Sequence, residues 1–193
     1  YALGLMPQSG LGRRLPLTLM SNEQIYRCYD IGRELFLNAG YVQDCHNRYV
    51  IPGKGSFLQE DNVFRGMSLI GFGAGVRSYA INVHYRNTYD SSSGKKAILG
   101  YINNIETGKH SIEDGIFLDN EEKMRQYVIG NLENINKTEF QRRFDSSFET
   151  TFRALYQEII ELDLAVDNGY NIWLTPKGLT FRDLIVKQFF SDR

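Results

Sequence analysis

The stretch that most constrains this chain is Ser68 to Asn82, Ser-Leu-Ile-Gly-Phe-Gly-Ala-Gly-Val-Arg-Ser-Tyr-Ala-Ile-Asn, where Gly71, Gly73 and Gly75 occupy every second position. Alternate residues of an extended segment share a face. The spacing therefore strips one face of its side chains and lets something large approach the backbone. It is not the dinucleotide fingerprint, which places two residues before its third glycine, and no Lys-Ser/Thr follows as in a P-loop. Two readings stay open. One is a strand end whose bare backbone lines a small-molecule pocket, and the other is close packing of sheet on sheet or helix at a barrel closure.

A polar run follows, with Arg77, Asn82, His84, Tyr85, Arg86, Asn87, Tyr89 and Asp90. On one continuous strand Arg77, Tyr79, Ile81, Val83 and Tyr85 would share a face, with Ser78, Asn82, His84 and Arg86 on the other. The planar forks of Arg77 and Arg86 suit substrate carboxylates, and His84 suits proton movement near neutral pH. A solvated sheet edge is the alternative.

The elements around this region read as α/β. Tyr1 to Met6 is an apolar strand bounded by Pro7, the pattern of a strand buried on both faces of a parallel sheet. Gln8 to Met20 is a loop. Ser21 and Gln24 form a capping box that opens a helix, stopped at Gly40, and Tyr41 to His46 is a second strand. A helix from Lys95 to Thr107 ends at Gly108, and another starts at Asp119, with Glu122 in the capping-box place. Helices follow over Lys137 to Phe144 and Phe148 to Leu162. A hairpin turns at Asp167-Asn168-Gly169, and Thr175-Pro176 opens a last helix. The expected division is 1–115, an α/β part, and 116–193, a mainly helical winged-helix-like part.

Winged-helix modules commonly bind DNA, but the groove helix here, Phe148 to Leu162, carries Glu149, Glu158 and Glu161 against Arg153. Without a basic face it lacks the phosphate contacts that supply most non-specific affinity. The whole chain has 22 Lys plus Arg against 23 Asp plus Glu, net −1, so charge gives no reason to expect nucleic acid or an anionic membrane as partner. No stretch approaches the roughly 18 apolar residues of a membrane span. Cys28 and Cys45, the 2 cysteines, make neither a disulfide framework nor a four-thiolate zinc site, and His46, His84 and His110 lack ligand spacing. No metal site is expected within the chain, and a cytoplasmic setting is the expectation. The 193 residues open at Tyr1, without Met, directly in an apolar run, so the expectation is a piece of a longer polypeptide.

The ordered set Tyr1-Ala2-Leu3, Gly40-Tyr41, Tyr49-Val50-Ile51-Pro52-Gly53, Ile70-Gly71-Phe72-Gly73-Ala74-Gly75, Tyr85-Arg86-Asn87 and Leu174-Thr175-Pro176-Lys177-Gly178 resembles the oxygen-independent coproporphyrinogen III oxidase-like radical SAM family. That group includes the oxidase, a haem chaperone and class C methyltransferases. The resemblance implies the C-terminal part of a partial (β/α) radical SAM barrel with a sheet extension, followed by the helical winged-helix-like domain. It places Ala2, Gly71, Gly73, Gly75 and Arg77 near S-adenosyl-L-methionine and a tetrapyrrole-like substrate; the arginine pair flanking the glycine strand, Arg77 and Arg86, is expected to meet that substrate's carboxylates. Arginine at position 77 departs from the apolar residue of the oxidase and from the histidine common in the chaperones. The family's CxxxCxxC loop, which holds a four-iron four-sulfur cluster, is not in this sequence. The resemblance therefore implies that cluster and SAM belong to an intact parent with a missing N-terminal half. This chain alone should bind neither tightly and should not generate the 5′-deoxyadenosyl radical. Haem chaperone, methyltransferase and, further off, a winged-helix DNA-binding protein are the rival functions.

Overall fold

The computed structural model describes residue 13 and residues 20–54, 62–63 and 66–191. It divides into two compact units, Tyr1–Ser56 with Val128–Arg193, and Phe57–Tyr127. The cut expected near residue 115 falls inside a strand, Ile112–Phe117, that is paired along its length. The strand expected from Tyr1 to Met6, Ala2 within it, and most of the loop expected from Gln8 to Met20 lie outside the described residues.

In the first unit, helix α1 (Asn22–Asn38) begins where the capping box lies: the Ser21 hydroxyl accepts from the Gln24 amide at 3.2 Å and the Gln24 side chain accepts from the Ser21 amide at 2.8 Å. It ends before Gly40, whose φ of 84° is the left-handed stop. Strands β1 (Val42–Cys45) and β2 (Arg48–Val50) form an antiparallel hairpin with a bulge between Gln43 and Cys45. The Tyr29 hydroxyl of α1 donates to the His46 carbonyl at 2.8 Å, and the Gln43 amide donates to both at 2.9 and 3.0 Å. These bonds lock helix to hairpin. Burial pushes the Tyr29 phenol up to about 12, so it stays neutral.

The rest of this unit holds a continuous core. Strands β6 (Asn134–Asn136), β7 (Ala165–Asp167) and β8 (Asn171–Leu174) form an antiparallel sheet in the order β6-β8-β7. The β7–β8 turn is the Asp167-Asn168-Gly169 hairpin, with Gly169 at φ 93°. Helices α4 (Lys137–Phe144), α5 (Phe148–Thr151), α6 (Arg153–Glu161), α7 (Pro176–Thr180) and α8 (Arg182–Lys187) accompany it. Phe140, Phe148, Phe152, Phe189, Ile135 and Ile172 are buried together at its centre. The single helix expected from Phe148 to Leu162 is two helices, because Phe152 takes φ −117°, ψ 39° to turn its ring into the aromatic cluster. The apolar stripe is core at Phe148, Phe152 and Ile159, half-buried at Leu155 and exposed at Leu162.

The second unit contains β3 (Arg77–Tyr79), β4 (Val83–Asn87), helix α2 (Gly94–Glu106) and β5 (Ile112–Phe117), with the start of α3 (Asn120–Gly130). The sheet runs β3-β4-β5, antiparallel throughout. Ser93 caps α2, Gly108 closes it at φ 67°, and the Asp119 carboxylate accepts from the Glu122 amide at 3.0 Å at the head of α3. Among the described residues every paired strand is antiparallel. The molecule is a mixed α/β fold of helices and short sheets.

Candidate functional site

The strand expected to run on through Arg77 to Arg86 is instead a hairpin, and the glycine segment before it, read as extended, is a loop. Ala80 and Val83 exchange backbone hydrogen bonds at 2.9 and 3.4 Å, so Ile81 and Asn82 form a two-residue turn. That turn changes which residues share a face. Directly opposed residues lie on the same side of a sheet, and the register pairs Arg77 with Arg86, Ser78 with Tyr85 and Tyr79 with His84. Arg77, Tyr79, His84 and Arg86 therefore occupy one face. Ser78, Tyr85 and Asn87 occupy the other, correcting the grouping that put Arg77 and Arg86 on opposite sides.

The glycine segment folds against the second of these faces. The Gly71 amide donates to the Ser78 hydroxyl at 3.0 Å, and the Asn87 side chain donates to the Gly71 and Gly73 carbonyls at 3.2 and 3.0 Å. The Gly75 amide donates to the Thr88 carbonyl at 2.8 Å. Ser78 and Asn87 are buried, as their hydrogen bonding requires. A Cβ at Gly71 would stand 2.0 Å from Val76 Cγ1 and 2.8 Å from the Arg77 carbonyl oxygen, so only glycine fits. The bare backbone is thus packed on its own hairpin, with Phe72 projecting from it 84% exposed. Sequence alone did not single out Ser78 and Asn87 as the residues that hold this loop, because their partners are backbone atoms seven to sixteen residues away.

On the opposite face the two arginines differ. Arg86 makes two bonds to Asp114 of β5, its directly opposed residue, the Nε contact being 3.0 Å, and its guanidinium lies 4.4 Å over the Tyr89 ring. Its charge is already answered from within the fold. Arg77 is exposed and carries no ion pair among the described residues. His84 packs edge-on against Tyr79 with ring centroids 4.9 Å apart, and its buried Nε2 has no hydrogen-bond partner among the described residues. Burial, and then the Arg77 charge, hold its imidazole below the ordinary value, with Glu122 opposing them. The face offers one available guanidinium beside a neutral imidazole.

No group of three His, Cys, Asp or Glu among the described residues could hold a metal ion. Cys28 is exposed on α1 and Cys45 lies on β1. His46 is occupied by its Nδ1 contact to the Leu179 carbonyl at 2.9 Å and by stacking on Tyr29. Among the described residues no helix is long and apolar enough to cross a membrane.

No family model and no curated protein matches the sequence. The structure, however, is similar to that of coproporphyrinogen III oxidase (HemN) from Escherichia coli, a radical SAM enzyme, with a TM-score of 0.70 and 17% identity. The chain shares the fold of part of that oxidase. The match takes in 92% of this chain and 44% of the oxidase, so this chain spans less than half of that protein's length.

Proposed function

We propose that this chain is the C-terminal part of a radical SAM protein of the coproporphyrinogen III oxidase type, inactive by itself and completed by an N-terminal half that carries the cluster. In that reading β6, β8, β7 and the helices around them are the winged-helix-like module. The preceding elements extend a partial (β/α) barrel. The fold likeness over 92% of the chain is the observation that carries the reading. It agrees with the motif resemblance, which rests on residues rather than shape.

The residues present do not fit the iron–sulfur cluster: it needs three thiolates in a short loop, and this chain has 2 cysteines on separate elements. The cluster therefore belongs to the other half, and its chemistry is no property of this chain. SAM would be contacted by Ala2 and by Gly71, Gly73 and Gly75, with Arg77 adjoining. Because Ser78, Asn87 and Thr88 already engage the Gly71, Gly73 and Gly75 backbone groups, the loop serves as a rigid wall of bare backbone. Toward a tetrapyrrole-like substrate, Arg77 supplies the guanidinium for a propionate carboxylate. Arg86 supports that face by fixing Asp114, and reaches substrate only if it gives up this pair.

The test is SAM cleavage to 5′-deoxyadenosine under reducing anaerobic conditions, with coproporphyrinogen III present. The chain alone should give none, and the chain joined to a CxxxCxxC-bearing half should give turnover. SAM cleavage by the chain alone would overturn the reading. Product analysis of the joined protein separates decarboxylation from methyl transfer, and haem titration separates both from a chaperone.

A further inference from the structure

Helix α2 has two usable faces, and its own unit covers one. Ala97 is buried, Tyr101 and Asn104 are half-buried, and the Asn104 amide donates to Thr88 Oγ1 at 3.2 Å. On the outer side Ile98, Leu99, Ile102 and Ile105 are 54%, 55%, 42% and 56% exposed. With about 3.6 residues per turn, Lys95, Ile98, Leu99, Ile102, Ile105 and Glu106 fall in one stripe roughly 120° wide. Positions 95, 98, 102 and 105 step by three, four and three, the spacing of a coiled-coil seam. Single exposed apolar residues need no explanation, but a contiguous stripe marks an interaction surface.

The charges on the stripe define what fits it. Lys95 stands in the first turn and Glu106 in the last, and α2 has no acidic residue in its first turn and no basic one in its last. Both charges oppose the helix's own dipole. A parallel copy would bring like charges together at each end. An antiparallel copy brings Lys95 beside Glu106 at both ends, and sets each misplaced charge near the favourable end of the other helix. A two-fold axis near Gly100 also puts Ile98 level with Ile102.

We propose that two copies of this chain associate through α2, antiparallel about a two-fold axis near Gly100, with Ile98 of each copy against Ile102 of the other and Lys95 beside Glu106. The pairing needs no cofactor or substrate and does not depend on the functional reading above.

Sedimentation equilibrium of the 193-residue chain across the micromolar range tests it. A concentration-dependent dimer is expected. Lys95→Glu and Glu106→Lys should each weaken it about tenfold, since each turns two attractive surface pairs repulsive. The double swap should restore the original affinity. Ile102→Ser, at an exposed position, should leave a monomer whose thermal melt no longer depends on concentration and matches the parent's at dilutions where the parent is also monomeric. A chain that stays monomeric, a dimer indifferent to the single swaps, or a double swap no tighter than the singles would overturn the proposal.

Discussion

Arg77 and Arg86 stand directly opposite each other across β3 and β4, and Asp114 from β5 neutralises only Arg86. The two positions should therefore respond differently to removal of charge. Arg77→Met should leave the unfolding free energy nearly unchanged, within about 0.5 kcal/mol. It should also raise the His84 imidazole pKa, because the Arg77 charge helps to depress it. Arg86→Met strands Asp114 and uncovers the Tyr89 ring, and should cost about 1 kcal/mol, the pair being partly exposed. Denaturant titration and NMR titration of the imidazoles read both effects. A binding assay with a carboxylate-bearing porphyrin in the completed protein should show the larger loss at Arg77.

His84 makes stability depend on pH in a definite direction. Its folded-state pKa lies below the ordinary 6.5, first through burial and then through Arg77. Between the two pKa values the unfolded chain binds the proton more readily, so unfolding takes up protons and stability rises with pH. The contribution is complete above the ordinary value and is lost as pH falls below it. Urea melts at successive pH values should show this loss, and His84→Gln should flatten the profile in that window. A profile unchanged by the substitution would show that the buried imidazole does not govern it.

Local signals in the sequence carried much of this fold. Ser21 with Gln24, Gly40, Gly108 and the Asp167-Asn168-Gly169 turn each act within a few residues, and each marks the boundary its chemistry dictates. Nothing local in the sequence marks strand β5: Ile112 and Ile116 are exposed, with Glu113, Asp114 and Gly115 between them, so it has no buried alternation and only pairing with β4 makes it a strand. The site behaves likewise. The arginines were legible as residues, but their common face depends on the Ile81–Asn82 turn, which carries no Gly to announce it. The break at Phe152 also escaped the helical period, because long-range aromatic packing overrides local preference there.

Lys137 ties two carboxylates together in the first unit. Its ammonium contacts Glu149 and also Asp167, the latter at 2.8 Å, and the Tyr156 hydroxyl donates to the same Asp167 oxygen at 2.9 Å. Burial acts to raise the Asp167 carboxyl, but hydrogen bonds from Lys137, Gly169 and Tyr156 outweigh it and hold the group below the usual carboxylate range. Its stabilisation is present above the ordinary carboxylate pKa and is lost as pH falls through the depressed one. Lys137→Met leaves two partly buried carboxylates facing each other and should cost about 3 kcal/mol. Chemical denaturation at neutral pH measures the loss, and acidification should narrow the gap between variant and parent as the carboxylates protonate.

Among the described glycines of the first unit, Gly178 leaves the least room for a side chain. A Cβ there would lie 1.9 Å from the Leu164 carbonyl oxygen and 2.9 Å from its carbon, atoms of backbone that cannot rotate away. The Leu164 carbonyl is also fixed by accepting from the Thr175 amide at 2.9 Å, beside the cap of α7, where the Gly178 amide donates to the Thr175 hydroxyl at 3.0 Å. Gly178→Ala must push α7 away from this turn, and should destabilise by about 2–3 kcal/mol. Gly32 is the control: it lies inside α1, with nothing within 4 Å of an added Cβ. Gly32→Ala should stabilise, by up to about 1 kcal/mol, through helix propensity alone. Thermal and urea melts of the two variants should move in opposite directions, and a harmless Gly178→Ala would mean that α7 does not pack against Leu164 as closely as described.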